Sequence, residues 1–441
     1  VRTAVVLFTR DLRVHDHPAL AAALASAEQV VPLFVFDPAV LARSAAPNRL
    51  AFLLAALSDL DGSLRARGGV LVVREGDVAD EAMRVAGETG AEAVFLSEDV
   101  SAYAQARERR LGAACAAQGL ALHVHAGVTA VAPGDLAPAG GDFYKVFTPY
   151  WRRWQLAPHR GLAATPRRIS VAAIAEGRIP ALADLTGGTA SEALPKGGET
   201  AGRRRVARWL SRGLEHYDRL HDSLADDGTS RLGPYLHFGC LSPLELVERA
   251  GGRASAEPFV RQLCWRDFYA QLLAARPETS HTDFRPRGRG WREDAAALAA
   301  WKAGQTGFPI IDAGMRQLAR EGWMHNRARL LTGSFLAKNL RLDWRLGAAH
   351  FLDLLVDGDV ASNSGNWQWV AGTGVDTRPN RIFNPIRQAR RFDPDGEYVR
   401  RYVPELAGVS GHAVHEPWKL ARHPDGYPEP ILDPAGSLIA G

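Results

Sequence analysis

The hydropathy pattern predicts a doubly wound α/β domain with a parallel sheet, followed by an all-α, helical domain. Three observations carry this reading. Short β-branched runs alternate with alanine-rich stretches over residues 1–130, such runs almost vanish after residue 201, and beyond it apolar residues recur at spacings of three and four, the period of a helix face. The chain has 441 residues, 46% of them hydrophobic and 23% charged. That length allows roughly three domains, and the composition lies clear of disordered, collagenous and coiled-coil chains.

Five strands are expected, over Ala4 to Phe8, Val30 to Phe36, Val70 to Arg74, Ala93 to Leu96 and Ala121 to His125, because short continuous apolar runs suit strands covered on both faces. Helices are expected near 19–27, 49–67, 77–89 and 101–118. In the second of these Pro47 and Asn48 mark the start, and Leu50, Leu53, Leu54 and Leu57 form one face for the sheet. Phe8-Thr9-Arg10-Asp11-Leu12-Arg13 follows the first strand in place of a G-x-G-x-x-G turn, which argues against a conventional NAD domain. Residues 131–200, rich in Pro, Gly, Ala and Thr, read as a long interdomain connection. Its aromatic island from Phe143 to Trp154 is expected to pack on a neighbour, with the rest mobile and open to proteolysis. Residues 201–441 form the helical domain, with helices near 202–215, 242–250, 256–275, 293–300, 311–321, 325–338 and 346–355.

Composition narrows the chemistry. Cys115, Cys240 and Cys264 are too few and too scattered for a disulfide framework, an iron–sulfur cluster or a zinc knuckle, so no metal is expected. Lys+Arg 53 against Asp+Glu 49 gives a net charge of +4, too small to identify a nucleic-acid binder by itself. The opening residues match neither a signal peptide nor a bilayer-length span, and a cytoplasmic protein is expected.

Chemistry-bearing side chains concentrate in four segments. Asp227-Gly228-Thr229-Ser230-Arg231-Leu232-Gly233 offers hydroxyls, peptide N–H groups and an arginine before a helix, a set that can cradle a diphosphate or simply cap the helix. Gly322 to Arg329 places His325 and Arg329 four apart on one helical face, with Asn326 beside them. Asp357 to Trp369, expected as a loop or broken helix, gathers carboxylates, amides, glycines and two indoles. It suits the polar edge of a heteroaromatic ring as well as it suits a series of Asx turns anchored by core tryptophans. An ion pair between Arg329 and Asp357 would need further hydrogen bonds, which a polar cofactor ring can supply. From Arg378 to Arg401 seven arginines face Asp393, Asp395 and Glu397, a local balance of +4, interleaved with Phe383, Phe392 and Tyr398. The segment reads as a phosphate-contacting rim or a solvated loop.

These segments, together with Trp265-Arg266-Asp267-Phe268-Tyr269, Gly307 to Ala313, Trp323-Met324-His325-Asn326-Arg327 and Arg381-Ile382-Phe383-Asn384-Pro385, resemble the photolyase/cryptochrome flavoproteins over nearly the whole chain. Within that family the likeness is to bacterial class I cyclobutane pyrimidine dimer photolyases. The resemblance implies an antenna chromophore in the α/β domain and a U-shaped FAD in the helical domain, beside a pocket for a lesion flipped out of DNA. By position it implies FAD contacts from Tyr217, Thr229, Ser230, Arg231, Leu232 and Trp265. It further implies an Arg329–Asp357 pair bordering the isoalloxazine, Asp359 at its polar edge and Asn363 at N5 as the redox-tuning amide. Trp367, Trp344 and Trp291 match the electron-transfer chain, running from flavin to solvent. Gln262, Trp265, Asn326, Arg327, Leu330, Trp369 and Arg381 are implied to meet the lesion or its DNA.

The implied reaction is light-driven. Excited, fully reduced FAD passes an electron to the dimer, the cyclobutane ring opens, and the electron returns. Ultraviolet-damaged DNA is the implied partner of a monomer with no obligate protein partner. Some positions depart from the family pattern. Gln262 stands where repair enzymes usually have a glutamate, so a charge-assisted hydrogen bond becomes neutral and slower repair is expected. Leu330 replaces a lesion-packing methionine, His221 a DNA-contacting arginine, and Gly233 a common serine. Glu98-Asp99-Val100-Ser101-Ala102-Tyr103 resembles deazaflavin-binding members, implying an 8-hydroxy-5-deazaflavin antenna anchored by Asp99. Methenyltetrahydrofolate, FMN, FAD or no antenna are the alternatives. Gln262 keeps open a cryptochrome-like light sensor. Repair of (6-4) photoproducts is disfavoured because His325-Asn326 replaces the expected paired histidines, and an inactive DNA-binding protein is a third class.

Overall fold

Five apolar runs pair as one parallel sheet in the order β3-β2-β1-β4-β5, formed by Thr3–Phe8 (β1), Gln29–Phe36 (β2), Val72–Glu75 (β3), Ala93–Ser97 (β4) and Ala121–His125 (β5). The computed structural model describes residues 1–435 except Asp227, Arg287, Arg289 and Pro379, and the side chains of Ser44 and Ala254 are likewise outside the description. Thus Asp227 of the expected diphosphate segment and the last residues of the expected helical domain lie outside the described residues. β1 is buried along its whole length, as expected of a strand with helices on both faces. Those helices are Pro18–Ser26, Pro47–Arg65, Val78–Thr89 and Ala102–Gln118, with an additional short one, Pro38–Ser44, that hydropathy alone did not reveal. The additional helix has a local cause: Asp37 accepts from Ala39 N at 2.7 Å, and Pro38 occupies the first turn, where its missing N–H costs nothing. Strand order reverses between β1 and β4, which opens a crevice at their carboxyl ends. Arg10 and Asp99 emerge there.

Residues 127–200 contain few helices and find partners for their peptide groups elsewhere. Ile169 N donates to Arg67 O, Val30 N to Ser170 O and Val73 N to Glu176 O, at 2.7–2.8 Å, so this segment runs beside β2 and β3. The aromatic island forms the helix Phe147–Trp154, which buries Phe147, Tyr150, Trp151 and Trp154 against Phe268 and Tyr269 in one core cluster. A single carboxylate ties it down: Asp267 Oδ2 accepts from Ala130 N, Val131 N and Trp154 Nε1, each at 3.0 Å.

The remainder is helical, with Glu257–Ala275, Pro309–Glu321, Asn326–Ser334, Trp344–Leu354 and Val360–Ala371 as its main elements. The loop or broken helix expected over 357–369 is corrected, since only Asp357 to Asp359 precedes a regular helix. Asp359 caps it by accepting from Ser362 N at 2.8 Å, and Ser364 Oγ and Asn366 Nδ2 donate back to the carbonyls of Val360 and Ser362. Polar side chains that normally compete with a helix are here satisfied by its own backbone. Gly365 permits the approach of Tyr269, whose Cδ1 would lie 2.2 Å from a β-carbon at that position. The arginine-rich segment also forms helices, Pro385–Phe392 and Glu397–Tyr402. Among the described residues no helix is long and apolar enough to cross a membrane, no metal-binding cluster occurs, and all three cysteines are free and buried.

Burial pushes the Asp267 carboxyl up to about 6, against Arg266 and the Trp154 N–H. A carboxyl raised above its unfolded value of about 4 stabilises the fold below that pH, and the contribution is lost as pH rises through about 6. The stability of the native chain relative to Asp267→Asn therefore falls by about 2 kcal/mol between pH 4 and pH 6.5, as measured by urea denaturation at the two pH values.

Candidate functional site

Three adjoining cavities lie between the helices of the second half, and Asn326, the first residue of helix Asn326–Ser334, lines all of them. The first, of about 500 Å³, is bordered by Arg329, Asp357, Asp359, Asn363 and Trp367. The second, of about 940 Å³, is bordered by Tyr217, Thr229 to Gly233, Gln262, Arg329 and Asp357. The third, of about 810 Å³, is bordered by Gln262, Trp265, Tyr269, Leu330, Asn366 and Trp369. The first two share Arg329 and Asp357, and the last two share Gln262 and Arg266.

Arg329 Nη2 reaches Asp357 Oδ2 at 2.9 Å, and its Nε donates to Met324 O at 2.8 Å. The other oxygen, Asp357 Oδ1, and the hydroxyl of Thr229 are buried without a partner among the described residues. Unsatisfied polar atoms of this kind fit a wall meant for a polar ligand. A β-carbon at Gly233 would fall 2.4 Å from Asp357 Oδ2, so the glycine found there keeps the carboxylate in place. Ser230 Oγ accepts from Leu232 N at 3.4 Å. Arg231 adopts the left-handed conformation, φ 50°, and its guanidinium pairs with Glu321 at 2.8 Å while lying 4.1 Å over Trp323. It thus borders the second cavity with its charge already compensated.

His325 does not share a helical face with Arg329. It caps the helix, Nδ1 accepting from Arg327 N at 3.1 Å, which leaves the proton on Nε2. Burial pushes the ring down to about 4, so it is neutral near pH 7. Asn363 Nδ2 donates to Ala348 O at 3.1 Å, leaving its carbonyl oxygen and second N–H for the first cavity. Asp359 lines that cavity and also pairs with Arg10 at 2.6 Å. Burial opposes its ionisation, but Arg10 and Arg266 outweigh this and hold it far below the usual carboxylate range.

In the third cavity one face of Trp265 is covered by Phe147, with ring centroids 3.7 Å apart and planes at 3°, and Arg261 lies 5.2 Å over Phe147. Trp369 is held by Nε1–H donating to Asp376 O at 3.0 Å, with the exposed Arg381 5.6 Å above its ring. Arg327 lines none of the three. It is taken up by Asp222 at 2.7 and 3.1 Å and by the face of Phe392. Trp367 borders the first cavity and shares a core cluster with the buried Trp344, and the partly buried Trp291 packs against that cluster. The indole in edge contact with Trp367 is Trp301, at 6.1 Å. Phe147, Arg10, Asp222, Glu321 and Trp301 were all missed from sequence, since each acts on a residue far along the chain. A fourth cavity, of about 1200 Å³, sits at the carboxyl ends of β1, β2 and β4, bordered by Arg10, Phe34, Phe36, Asp37, Asp99 and Tyr103.

Family models match both halves: "DNA photolyase" over residues 4–168 and "FAD binding domain of DNA photolyase" over residues 259–438. A deoxyribodipyrimidine photo-lyase of Streptomyces griseus is 55% identical, covering 98% of this chain and 96% of the relative. The chain belongs to the photolyase/cryptochrome family. A bacterial class III photolyase from Agrobacterium tumefaciens superposes with a TM-score of 0.92 at 32% identity, covering 98% of this chain and 95% of the other. A Synechocystis cryptochrome superposes with a TM-score of 0.91 at 29% identity, covering 98% and 97%. The region matched by the FAD-binding model contains Arg329, Asp357 and Asn363, which border the first two cavities. Gly233→Ala is expected to displace Asp357 from Arg329 and to lower the FAD retained per protein at least about tenfold, read from the 450 nm to 280 nm absorbance ratio.

Proposed function

We propose that this protein is a deoxyribodipyrimidine photo-lyase that splits cyclobutane pyrimidine dimers in DNA with light. The observation that supports the reading best is the adjacency of a polar cavity suited to FAD and a cleft walled by two indoles, Trp265 and Trp369, with Gln262 and Asn326 bordering both. Bound in its fully reduced form, FAD would supply an excited-state electron for opening the dimer and would recover it afterwards.

The residues of the chain bind, orient and shield. Thr229, Ser230, Arg231 and Leu232, with Tyr217, hold the diphosphate and ribose side of FAD, and Arg329 with Asp357 borders its ring. Asn363 offers an amide that can donate or accept as the ring's protonation changes, which is the protein's means of tuning it. Trp265 and Trp369 give the flipped dimer apolar faces and exclude water, and Leu330 fills the side between them. Gln262 and Asn326 supply hydrogen bonds to the pyrimidine edges. Arg381 contacts the phosphate backbone, with Arg327 acting only when it exchanges Asp222 for a phosphate. Trp367, with Trp344 and Trp291 leading outward, resupplies electrons to oxidised enzyme. In the cavity of the α/β half we place 8-hydroxy-5-deazaflavin, anchored by Asp99, because aromatic and aliphatic walls with a few charged groups suit a flat heterocycle. The protein acts as a monomer on damaged DNA.

Gln262 favours a second reading, a cryptochrome-like sensor, because a neutral amide replaces an anionic acceptor in the lesion cleft. Anaerobic incubation of reduced protein with a defined cyclobutane dimer separates the two. Restoration of the pyrimidines in light but not in darkness supports repair, whereas photoreduction of the flavin without turnover of the dimer, or of matched (6-4) DNA, supports sensing. Gln262→Glu is expected to raise the repair yield several-fold by restoring a charge-assisted hydrogen bond, and an unchanged yield contradicts the role given to this residue.

A further inference from the structure

The cavity of the α/β half and the cavity beside Asn363 share the lining residue Gly358, and one cation spans the wall between them. Arg10 leaves the end of β1 with Nε donating to His237 O at 3.0 Å, Nη1 to Asp99 Oδ1 at 3.0 Å and Nη2 to Asp359 Oδ2 at 2.6 Å. Arg10 and Asp99 border the first of these cavities, and Asp359 borders the second. The two carboxylates are only 4% and 12% exposed, so water screens neither, and both draw on the same guanidinium. A planar fork of donors serves both carboxylates at once, and the single positive charge is divided between them.

Asp359 has little freedom to look elsewhere. Its Oδ1 caps helix Val360–Ala371 through Ser362 N at 2.8 Å, and that helix carries Asn363, Trp367 and Trp369. Gly358 has no room for a side chain, for a β-carbon there would fall 2.8 Å from Arg49 Nη1. Besides Arg10, the charged and titratable groups acting on Asp359 are Arg266 and His237. Burial, then Arg10, keeps His237 neutral, leaving Arg266 as the second compensating cation.

We propose that Arg10 is a positioning residue for the flavin, supplied by the opposite half of the molecule. It compensates Asp359 at the edge of the flavin cavity, and by dividing its charge between Asp359 and Asp99 it couples the state of the α/β cavity to the reduction potential of the flavin. This rests on the FAD reading above. Removing the negative charge of Asp99 leaves more of the guanidinium to Asp359, so the surroundings of the flavin become more favourable to its electron-rich, reduced form. Removing Arg10 exposes the flavin to a buried carboxylate and disfavours that form. Linkage makes the effect reciprocal, so reduction of the flavin alters the affinity of the α/β cavity for a ligand that binds Asp99.

The test is an anaerobic spectroelectrochemical titration of the FAD-loaded full chain as wild type, Arg10→Gln, Arg10→Lys, Asp99→Asn and the Arg10→Gln/Asp99→Asn double variant. Arg10→Gln is expected to lose about tenfold in its preference for reduced over oxidised FAD, which is a midpoint about 30 mV more negative for a two-electron couple. Arg10→Lys, which keeps the charge, stays near wild type. Asp99→Asn moves the midpoint to more positive values in the wild-type background and leaves it unmoved when Arg10 is absent. An Asp99→Asn shift of zero, or one of equal size in both backgrounds, overturns the proposal. If Arg10→Gln does not fold, the proposal stands on Asp99→Asn moving the midpoint positive and Arg10→Lys holding it, and falls otherwise. Wild-type protein that takes up no FAD on reconstitution refutes the functional reading instead, so the two failures are distinct.

Discussion

The ion pair between Arg329 and Asp357 is the constraint around which the helical half is arranged. It fastens helix Asn326–Ser334 to the short loop that leads into Val360–Ala371, at the meeting point of two cavities. Burying such a pair costs desolvation energy that the mutual attraction repays only when the remaining polar atoms are satisfied. Here one oxygen of Asp357 has no partner among the described residues. The arrangement is stable in the folded chain because Gly233 leaves room for the carboxylate and Met324 O takes a second donor of Arg329. A polar ligand donating to the free oxygen of Asp357 would complete it. Asn363 and Trp367 are placed by the helix that starts three residues after Asp357.

A second theme is how many charges in this region are already matched before any ligand arrives. Arg231 is held by Glu321, Arg327 by Asp222, and Arg10 by two carboxylates at once. Pairing keeps the guanidinium groups in fixed orientations, at the cost of weakening their pull on an incoming phosphate. In the cavity between Trp265 and Trp369 order comes from aromatic packing instead. Trp265 is braced by Phe147, from the segment between the two halves, so that segment supports a wall of the site as well as acting as a tether.

Much of the fold was legible in the residues. The five strands are continuous apolar runs, and their helices announce themselves through leucine spacing and proline starts. Helix Val360–Ala371 was not legible, because its serines and asparagines read as turn formers and only the folded chain reveals that they bond back to their own helix. The set of cavity residues came from the resemblance to the photolyase/cryptochrome family, and most of that set does gather around Asn326. What could not be read was the second layer. Arg10 and Asp359 are 349 positions apart, and Asp222 and Arg327 are 105 apart. No local pattern links such pairs, since a guanidinium can choose any carboxylate that the fold brings near.

We propose that a reduced flavin in the cavity beside Asn363 would lie within electron-transfer reach of a pyrimidine dimer held between Trp265 and Trp369. The emission of reduced FAD in the reconstituted protein reports on this proximity. Emission that is quenched by a dimer-bearing oligonucleotide and unaffected by the same strand without the dimer is the predicted result. Equal emission with both strands, while the dimer-bearing strand remains bound, would contradict it.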